Sequence, residues 1–286
     1  MKVAVIGASG NLGNCIASEF SKGHSVVGTY HKSRQAGLLQ LDITDRKAVM
    51  AFIGMKRPRL VIHADGITDV NHCDAKPEHA ESVNVDGTAN LIEACKLTGS
   101  KLIYVSTDFV FDGKKGGYSE EDAPHPVNVY GRTKLDSEKL IIGSGLDYLI
   151  ARTAVLYGAY ADPKFVRFVI EKLKKNEKIS IVTDHIRTPT LVDDVASALV
   201  RLRTRTGLFH VAGPVSYSMH EMACIIAGTF GFDRSLIYSI ESSALTEAAP
   251  KPKDTSLNTG KIRQLGIRMR DFESGLKGLQ PSVEKT

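Results

Sequence analysis

The residues best suited to chemistry are a tyrosine and a lysine four positions apart, Tyr130 and Lys134. Residues at positions i and i+4 share one face of a helix, so the lysine ammonium is expected beside the phenol. A phenol has an ordinary pKa of about 10, and a nearby cation favours its ionised form. The pair is therefore a candidate to donate a proton to a carbonyl oxygen while hydride arrives at the carbon.

Two hydroxyl side chains, those of Ser106 and Thr107, follow a predicted strand that ends at Val105. Ligands bind outside the carboxyl ends of parallel strands, so these hydroxyls are expected near the Tyr130 phenol. Either hydroxyl could hydrogen-bond the same carbonyl oxygen. Both residues are therefore candidates for the substrate site.

A glycine-rich segment follows the first predicted strand and leads into an amphipathic helix. It consists of Gly7, Ala8, Ser9, Gly10, Asn11, Leu12 and Gly13. The first glycine permits a tight turn, the second lets the backbone approach a pyrophosphate, and the third allows close helix packing. The spacing is G-x-x-G-x-x-G rather than the usual G-x-G-x-x-G. Its place between a strand and a helix predicts a dinucleotide site at the helix N-terminus.

The end of the second predicted strand indicates which dinucleotide is bound. An NAD site carries an acid there for the ribose 2′-hydroxyl, but no Asp or Glu occurs from Phe20 to Leu41. The segment instead contains His31, Lys32 and Arg34, whose charges suit a 2′-phosphate. NADP is therefore favoured over NAD, and the alternative is a solvated basic loop.

Strand and helix patterns alternate along the first half of the chain, which is typical of a parallel sheet with helices on both faces. The predicted strands are 3–6, 25–29, 60–63, 101–105 and 148–151, and the helices are 12–21, 46–53, 80–97 and 131–142. The prediction is an α/β fold with a Rossmann-type, doubly wound sheet. Residues 1–157 form its NADP-binding domain, and residues 158–286 form a smaller substrate-binding portion, packed on the first and partly interleaved with it.

Composition excludes several classes of protein. With 286 residues, 42% of them apolar, the chain is not disordered. Its net charge of +5 is spread along the sequence, which favours a small anionic ligand over nucleic acid. No apolar run is long enough to span a membrane, and the four cysteines lack C-x-x-C spacing. We expect a cytoplasmic protein with reduced thiols and no metal, with a homodimer left open.

Several runs together resemble the extended short-chain dehydrogenase/reductases, and among them the dTDP-4-dehydrorhamnose reductases. Besides the glycine turn and the Tyr130/Lys134 motif, they are Leu-Asp-Ile-Thr-Asp from residue 41, Asn-Val-Asp-Gly-Thr from residue 84, Ser-Thr-Asp-Phe-Val-Phe-Asp-Gly from residue 106, and Arg-Thr-Ala-Val-Leu-Tyr-Gly from residue 152. The resemblance covers nearly the whole chain. It implies NADPH-dependent reduction of a 4-keto group on a nucleotide-linked deoxysugar.

The resemblance also implies roles for single residues. It makes Thr107 the hydroxyl member of the catalytic set with Tyr130 and Lys134, and it places Lys134 on the nicotinamide ribose. Further positions implied are Asp42 and Ile43 on the adenine side, Ala64, Asp65 and Gly66 along the cofactor, and Arg187 near the substrate. The family usually has small apolar residues where this chain has Asp65.

A second departure concerns the substrate side. The family typically has a tryptophan near the position of Val155, and this chain has no tryptophan. Tyr157 or Tyr160 could substitute as an aromatic platform. The same motifs are also similar to the regulatory β subunit of methionine adenosyltransferase, which leaves a dinucleotide-binding regulatory subunit as the alternative. A sugar-nucleotide epimerase or dehydratase is the third interpretation.

Overall fold

The computed structural model describes residues 1–158, 164–246 and 248–279, and its strands are numbered in chain order. The first six are β1 (Lys2–Ile6), β2 (Ser25–Tyr30), β3 (Leu39–Gln40), β4 (Leu60–His63), β5 (Lys101–Thr107) and β6 (Tyr148–Thr153). The others are β7 (Leu156–Tyr157), β8 (Ile179–Val182), β9 (Ile186–Arg187), β10 (Thr190–Leu191), β11 (Gly207–His210), β12 (Tyr217–Ser218) and β13 (Ile237–Ile240).

Seven strands form one parallel sheet in the order β11-β6-β5-β4-β1-β2-β3. The chain builds outward from β1 to β2 and β3, then crosses back to β4 on the other side of β1. The strand order therefore reverses beside β1, and ligands of open α/β sheets bind at the carboxyl ends of the strands at such a reversal. The predicted doubly wound fold is confirmed.

Eleven α-helices lie in the described parts of the chain. They are α1 (Asn11–Ser21), α2 (Arg46–Lys56), α3 (Val70–Ala75), α4 (Pro77–Glu81), α5 (Gly87–Thr98), α6 (Val129–Ile142), α7 (Lys164–Lys174), α8 (Val192–Leu202), α9 (Met219–Phe230), α10 (Gly260–Gln264) and α11 (Phe272–Lys277). No helix of these described ranges is long and apolar enough to cross a membrane.

The central strands are buried on both faces, because successive side chains of a strand point to opposite sides of the sheet. In β1, Val3 and Val5 pack with α1 and α8, whereas Ala4 and Ile6 pack with α2 and α5. A third apolar cluster joins α7, α9 and α11 beyond the end of the sheet. The second half of the chain also contributes β11 to the main sheet and α8 to the helical layer that packs on Val3 and Val5. The division at residue 157 itself stays a prediction.

Two of the differences from the predicted boundaries bear on the site. Strand β5 continues to Thr107, because Ser106 and Thr107 pair with Arg152 and Thr153 of β6. The predicted helix 80–97 is interrupted by a π-helical turn, Ser82–Asp86, which connects α4 to α5. A π-helical turn holds more residues than an α-helical turn, so the residues after it are rotated about the helix axis relative to a regular helix.

Candidate active site

The glycine turn between β1 and α1 has a shape that side chains would obstruct. Gly7 has φ of +82°, and a Cβ atom on Gly13 would lie 2.1 Å from the carbonyl oxygen of Gly7. Gly10 precedes the first residue of α1, whose N-terminus has no side-chain cap. The first-turn N–H groups therefore face outward for an anion, and the turn fits a dinucleotide pyrophosphate.

A cleft of about 620 Å³ runs along the carboxyl edge of the sheet from this turn to α6. Most predicted site residues line it: Gly7, Ser9, Gly10, Asn11, Leu12, Gly13, His31, Lys32, Asp42, Ile43, Ala64, Asp65, Gly66, Ser106, Tyr130 and Lys134. Four predicted residues do not line it: Arg34, Thr107, Val155 and Arg187. One continuous cleft thus joins the phosphate turn to the predicted catalytic pair.

Tyr130 lies in the first turn of α6, whose N-terminus is capped by Asn128. The Asn128 side chain accepts a hydrogen bond of 2.8 Å from the backbone N–H of Gly131. Burial raises the pKa of the Tyr130 phenol well above its ordinary value, and a hydrogen bond with the Thr107 hydroxyl opposes that shift. The Thr107 hydroxyl therefore lies near the phenol, which keeps its proton at neutral pH.

Lys134 is one turn further along α6, and its ammonium points to the sheet. Its Nζ donates a 2.8 Å hydrogen bond to the carbonyl of Val105 and lies 4.1 Å from the ring centre of Tyr104. Burial lowers the pKa of Lys134 to about 7. The expected lowering of the Tyr130 pKa by Lys134 is not seen, because burial of the phenol dominates.

Ser106 lines the cleft, but its hydroxyl has a structural partner. Its Oγ donates a 2.5 Å hydrogen bond to Glu138, which also accepts two bonds of 3.0 and 2.6 Å from Arg152. Glu138 and Arg152 are both almost fully buried. Of the two hydroxyls left open by the sequence, that of Ser106 is thus bonded to Glu138, whereas that of Thr107 affects the pKa of the phenol.

Arg187 does not line the cleft. Its guanidinium is 4% exposed and donates hydrogen bonds of 2.6 to 2.7 Å to the carbonyls of Ile186, Pro252 and Lys253. The guanidinium thus holds the neighbouring segment at residues 252 and 253, and the contact with a substrate anion stays a prediction.

The basic group predicted for a 2′-phosphate is only partly assembled. His31 and Lys32 line the cleft, whereas Arg34 lies outside it. Asp42 joins them, with its carboxylate 3.5 Å from the His31 ring nitrogen. Hydrogen bonds from Thr44, with His31 and Lys32 nearby, lower the pKa of Asp42 despite some burial. The adenosine end of the cleft thus carries two basic side chains and one carboxylate.

Asp65 introduces a second carboxyl into the cleft. One of its oxygens accepts a 2.9 Å hydrogen bond from the backbone N–H of Gly66. Burial raises the pKa of Asp65, while His31 and Lys134 act in the opposite direction. The backbone of Asp65 packs against Gly7, because a Cβ on that glycine would lie 2.9 Å from the Asp65 Cα. The departure from the family pattern therefore sits directly on the phosphate turn.

Of the two predicted aromatic substitutes, only Tyr157 lies in the described part of the chain. Tyr157 is fully buried, with its ring edge-on to Phe272 at 4.9 Å. Tyr160 lies outside the described residues. Val155 has φ of +30°, an unusual value for a β-branched residue, at the bend between β6 and β7. Tyr157 is therefore a core residue and does not face the cleft as a platform.

Sequence reasoning gave no role to Asn84, in the π-helical turn. Its side chain accepts from the N–H of Ile67 at 2.8 Å and donates to the Ile67 carbonyl at 3.1 Å and to Thr133 at 3.0 Å. It therefore joins the loop after β4 to α6. The one signal of this contact in the sequence is a polar residue within an otherwise helical run.

Three histidines near the carboxyl end of β4 and the following helices, His63, His72 and His79, have a hydrogen-bond partner on at least one ring nitrogen. His63 is buried, with its Nε2 3.0 Å from the Thr88 hydroxyl, as expected of a core histidine. His72 and His79 lie 3.1 Å apart, but Asp74 accepts a bond from the Val129 N–H. Within the described residues, no three potential metal ligands gather at one point.

Comparisons with known proteins agree with this geometry. The family model described as "RmlD substrate binding domain" matches residues 1–283. Methionine adenosyltransferase 2 subunit beta of Mus musculus is 33% identical, over 96% of this chain and 86% of the relative. A dTDP-4-dehydrorhamnose reductase of Aggregatibacter actinomycetemcomitans is 29% identical, over 99% of each chain.

Solved structures show the same likeness. The dTDP-4-dehydrorhamnose reductase of Bacillus anthracis, determined in complex with NADP, is 30% identical with a TM-score of 0.89, over 100% of this chain and 99% of that one. The resemblance drawn from the motifs is thereby confirmed. The chain belongs to the RmlD substrate binding domain family, among the extended short-chain dehydrogenase/reductases.

Proposed function

We propose that the protein uses NADPH to reduce the 4-keto group of a nucleotide-linked deoxysugar, as a dTDP-4-dehydrorhamnose reductase does. The single observation that carries this proposal is the continuity of the cleft. The phosphate turn lies at one end of it, and Tyr130 and Lys134 lie at the other, with Thr107 behind the phenol. A cytoplasmic location and a homodimer remain predictions.

The cofactor would be held by groups along the cleft. The backbone from Gly7 to Gly13 would bind the pyrophosphate, and Lys32 with His31 would bind the 2′-phosphate. Ile43 would face the adenine side, and Lys134 the nicotinamide ribose. The NADP complex of the Bacillus anthracis reductase supports this choice of dinucleotide.

The reaction needs one hydride and one proton, which together convert the ketone to a secondary alcohol. NADPH, when bound, supplies the hydride to the carbonyl carbon. Tyr130 donates its phenolic proton to the oxygen, and its raised pKa ensures that the proton is present. Thr107 stabilises the oxygen or the phenolate by a hydrogen bond. Lys134, whose Nζ bonds the Val105 carbonyl and whose pKa is near 7, would bind the nicotinamide ribose and supply positive charge within the site.

A dinucleotide-binding regulatory subunit is the second candidate. The 33% identity to methionine adenosyltransferase 2 subunit beta favours it, as does the missing tryptophan near Val155. Against the regulatory alternative, the site contains a suitable residue for each task of the reduction, namely proton donation, oxygen binding and charge stabilisation. A dehydratase would need two accessible carboxyl groups, whereas Asp108 is buried and bonded to two threonines.

The test supplies the purified protein with NADPH and dTDP-, UDP- and GDP-linked 6-deoxy-4-keto sugars. We expect NADPH oxidation in proportion to the keto sugar added, with a relaxed preference among sugars because the aromatic platform is missing. No oxidation with any sugar, together with altered kinetics of a methionine adenosyltransferase when this protein is added, would establish the regulatory alternative.

A further inference from the structure

A second cavity, of about 380 Å³, lies beside β11, the edge strand of the main sheet, and is called the β11 cavity below. Among the described residues, it shares none of its lining with the cleft. Cavities of this size hold small-molecule ligands in proteins. The residues that line it are Ala212, Pro214, Thr259, Ile262, Arg263, Arg268 and Met269. The β11 cavity therefore combines an apolar wall with one hydroxyl group and two guanidinium groups.

The two chain segments that form the β11 cavity have a fixed backbone. On one side, the N–H of Ile267 donates a 3.1 Å hydrogen bond to the carbonyl of Ile262, which closes the turn after α10. On the other side, a Cβ atom on Gly213 would lie 2.2 Å from the carbonyl oxygen of Pro189, so the segment after β11 packs closely against that residue. The cavity is thus formed before any ligand enters it.

The two arginines of the β11 cavity differ from the other cations around it. Each of those cations is bonded within the protein: Lys261 to the Leu208 carbonyl, Arg201 to the Gly266 carbonyl and Arg270 to the Asp194 carboxylate. Within the described ranges, the guanidinium groups of Arg263 and Arg268 have no ion-pair or hydrogen-bond partner, and no carboxylate lines the cavity. An anion bound there would supply the missing opposite charge.

The hydroxyl group of Thr259 is a further group that a ligand could use. Thr259 is only 5% exposed and lines the β11 cavity. It stands at the N-terminal end of α10, but its side chain does not cap that helix, and its hydroxyl has no hydrogen-bond partner in the described parts of the chain. The Gly260 N–H is bonded instead to the Asn258 side chain, at 2.8 Å. Buried hydroxyls normally have a partner, so this one is available to a ligand.

We propose that the β11 cavity is a second ligand site, which binds a phosphorylated small molecule with an apolar portion. Guanidinium groups present planar pairs of N–H donors that match phosphate oxygens, so Arg263 and Arg268 would bind the phosphate. Thr259 would donate to a third oxygen. The apolar portion would cover Ile262 and Met269, which free phosphate leaves exposed. The site lies outside the machinery of the reduction and goes beyond that proposed function.

Phenyl phosphate is a suitable probe, because it joins a phosphate group to an apolar ring. The full chain is first saturated with NADP⁺, so that the phosphate-binding groups of the cleft are occupied, and is then titrated with the probe by calorimetry. We expect saturable binding that is tighter than that of inorganic phosphate and weakens as the salt concentration rises. No saturable binding of phenyl phosphate, or equally tight binding of inorganic phosphate, would overturn the proposal.

Substitutions assign the binding to the β11 cavity. Arg263→Gln and Arg268→Gln should each weaken phenyl phosphate binding by about 10-fold or more, and Thr259→Val by about 2- to 10-fold. The matched control is Arg205→Gln, which removes the same charge from an exposed arginine outside the cavity and should bind like the wild type. An equal loss in the control would show a response to net charge alone and would overturn the proposal. The NADP⁺ affinity of each variant reports whether its fold is intact.

A second measurement locates the probe in the unaltered binding site. Carbon-13 NMR of protein with labelled methionine methyl groups follows Met269, whose signal is assigned by its loss in Met269→Leu. We expect this signal to shift as phenyl phosphate is added, because Met269 lines the cavity. The signal of Met55, which is 75% exposed and outside the cavity, should not move. Binding that leaves the Met269 signal unchanged would place the probe elsewhere and refute the assignment.

Discussion

Lys134 donates a hydrogen bond to the carbonyl of Val105, 2.8 Å away, and so ties the helix that carries Tyr130 to the strand that carries Thr107. Because burial lowers the pKa of Lys134 to about 7, its ammonium form is lost as the pH rises through that value. We expect NADPH to bind more weakly at pH 8 than at pH 6, and this pH dependence to disappear in Lys134→Met. Calorimetric titration of both proteins checks this, and an equally steep pH dependence in the variant would assign it to another group.

Tyr130→Phe removes the phenolic proton and keeps the ring, which packs edge-on to Phe109 at 5.9 Å. The turnover number should fall by about 100-fold or more, because no other group donates to the substrate oxygen, while NADPH affinity stays nearly unchanged. Steady-state kinetics and calorimetry on the same preparation measure the two quantities. A variant that retains most of its turnover would mean that another group supplies the proton.

The cofactor preference should depend on Lys32 and not on Arg34, because only Lys32 lines the cleft. We expect NADPH to bind about 10- to 150-fold more tightly than NADH. One charge-assisted contact, worth about 1.5 to 3 kcal/mol, accounts for a difference of that size. Lys32→Ala should remove most of that difference, and Arg34→Ala serves as the matched control. Equal binding of both dinucleotides by the wild type would contradict the assignment.

The buried pair of Glu138 and Arg152 should matter for stability more than any surface pair. Replacing Glu138 by Leu leaves the Arg152 charge buried without its partner, which costs about 3–5 kcal/mol of unfolding free energy. The control is Glu93→Gln, whose pair with Arg46 is exposed to solvent and should contribute far less to the unfolding free energy. Urea denaturation compares them, and similar losses in both variants would refute the distinction.

Two buried histidines should make the protein less stable in mild acid. Burial lowers the pKa of both His63 and His210 to about 3, against 6.5 in the unfolded chain. The unfolded state therefore binds more protons between these values, and stability falls as the pH drops below 6.5. At pH 5.5 each should cost about 1.4 kcal/mol relative to pH 7.5.

His63→Asn should therefore reduce the difference in unfolding free energy between pH 7.5 and 5.5 by about 1.4 kcal/mol. His125→Asn, at an exposed position, should leave that difference unchanged. Urea denaturation at the two pH values gives both numbers, and an unaltered difference in the His63 variant would show that this histidine is protonated in the fold.

The sheet and the glycine turn were predictable because their signals are local. The predicted strand 60–63 matches β4 at both ends. Gly13 must be a glycine because a Cβ atom there would collide with the carbonyl oxygen of Gly7, only six residues away. Ser106 was assigned to the substrate because it follows a predicted strand, and Arg187 because the family resemblance implies that role. Their actual partners, Glu138 and the carbonyls near residue 252, come from distant segments. Such tertiary contacts leave no periodic signal.

The position of β11 has a consequence for folding during synthesis. Its partner β6 is complete at Thr153, yet β11 begins only at Gly207. Until that stretch leaves the ribosome, one side of β6 is an unpaired edge with open backbone groups, the kind of surface that pairs with foreign strands. Helix α8, which covers α1, also arrives late. Aggregation is therefore the main hazard while only the N-terminal half has been synthesised, and a chaperone would help most at that stage.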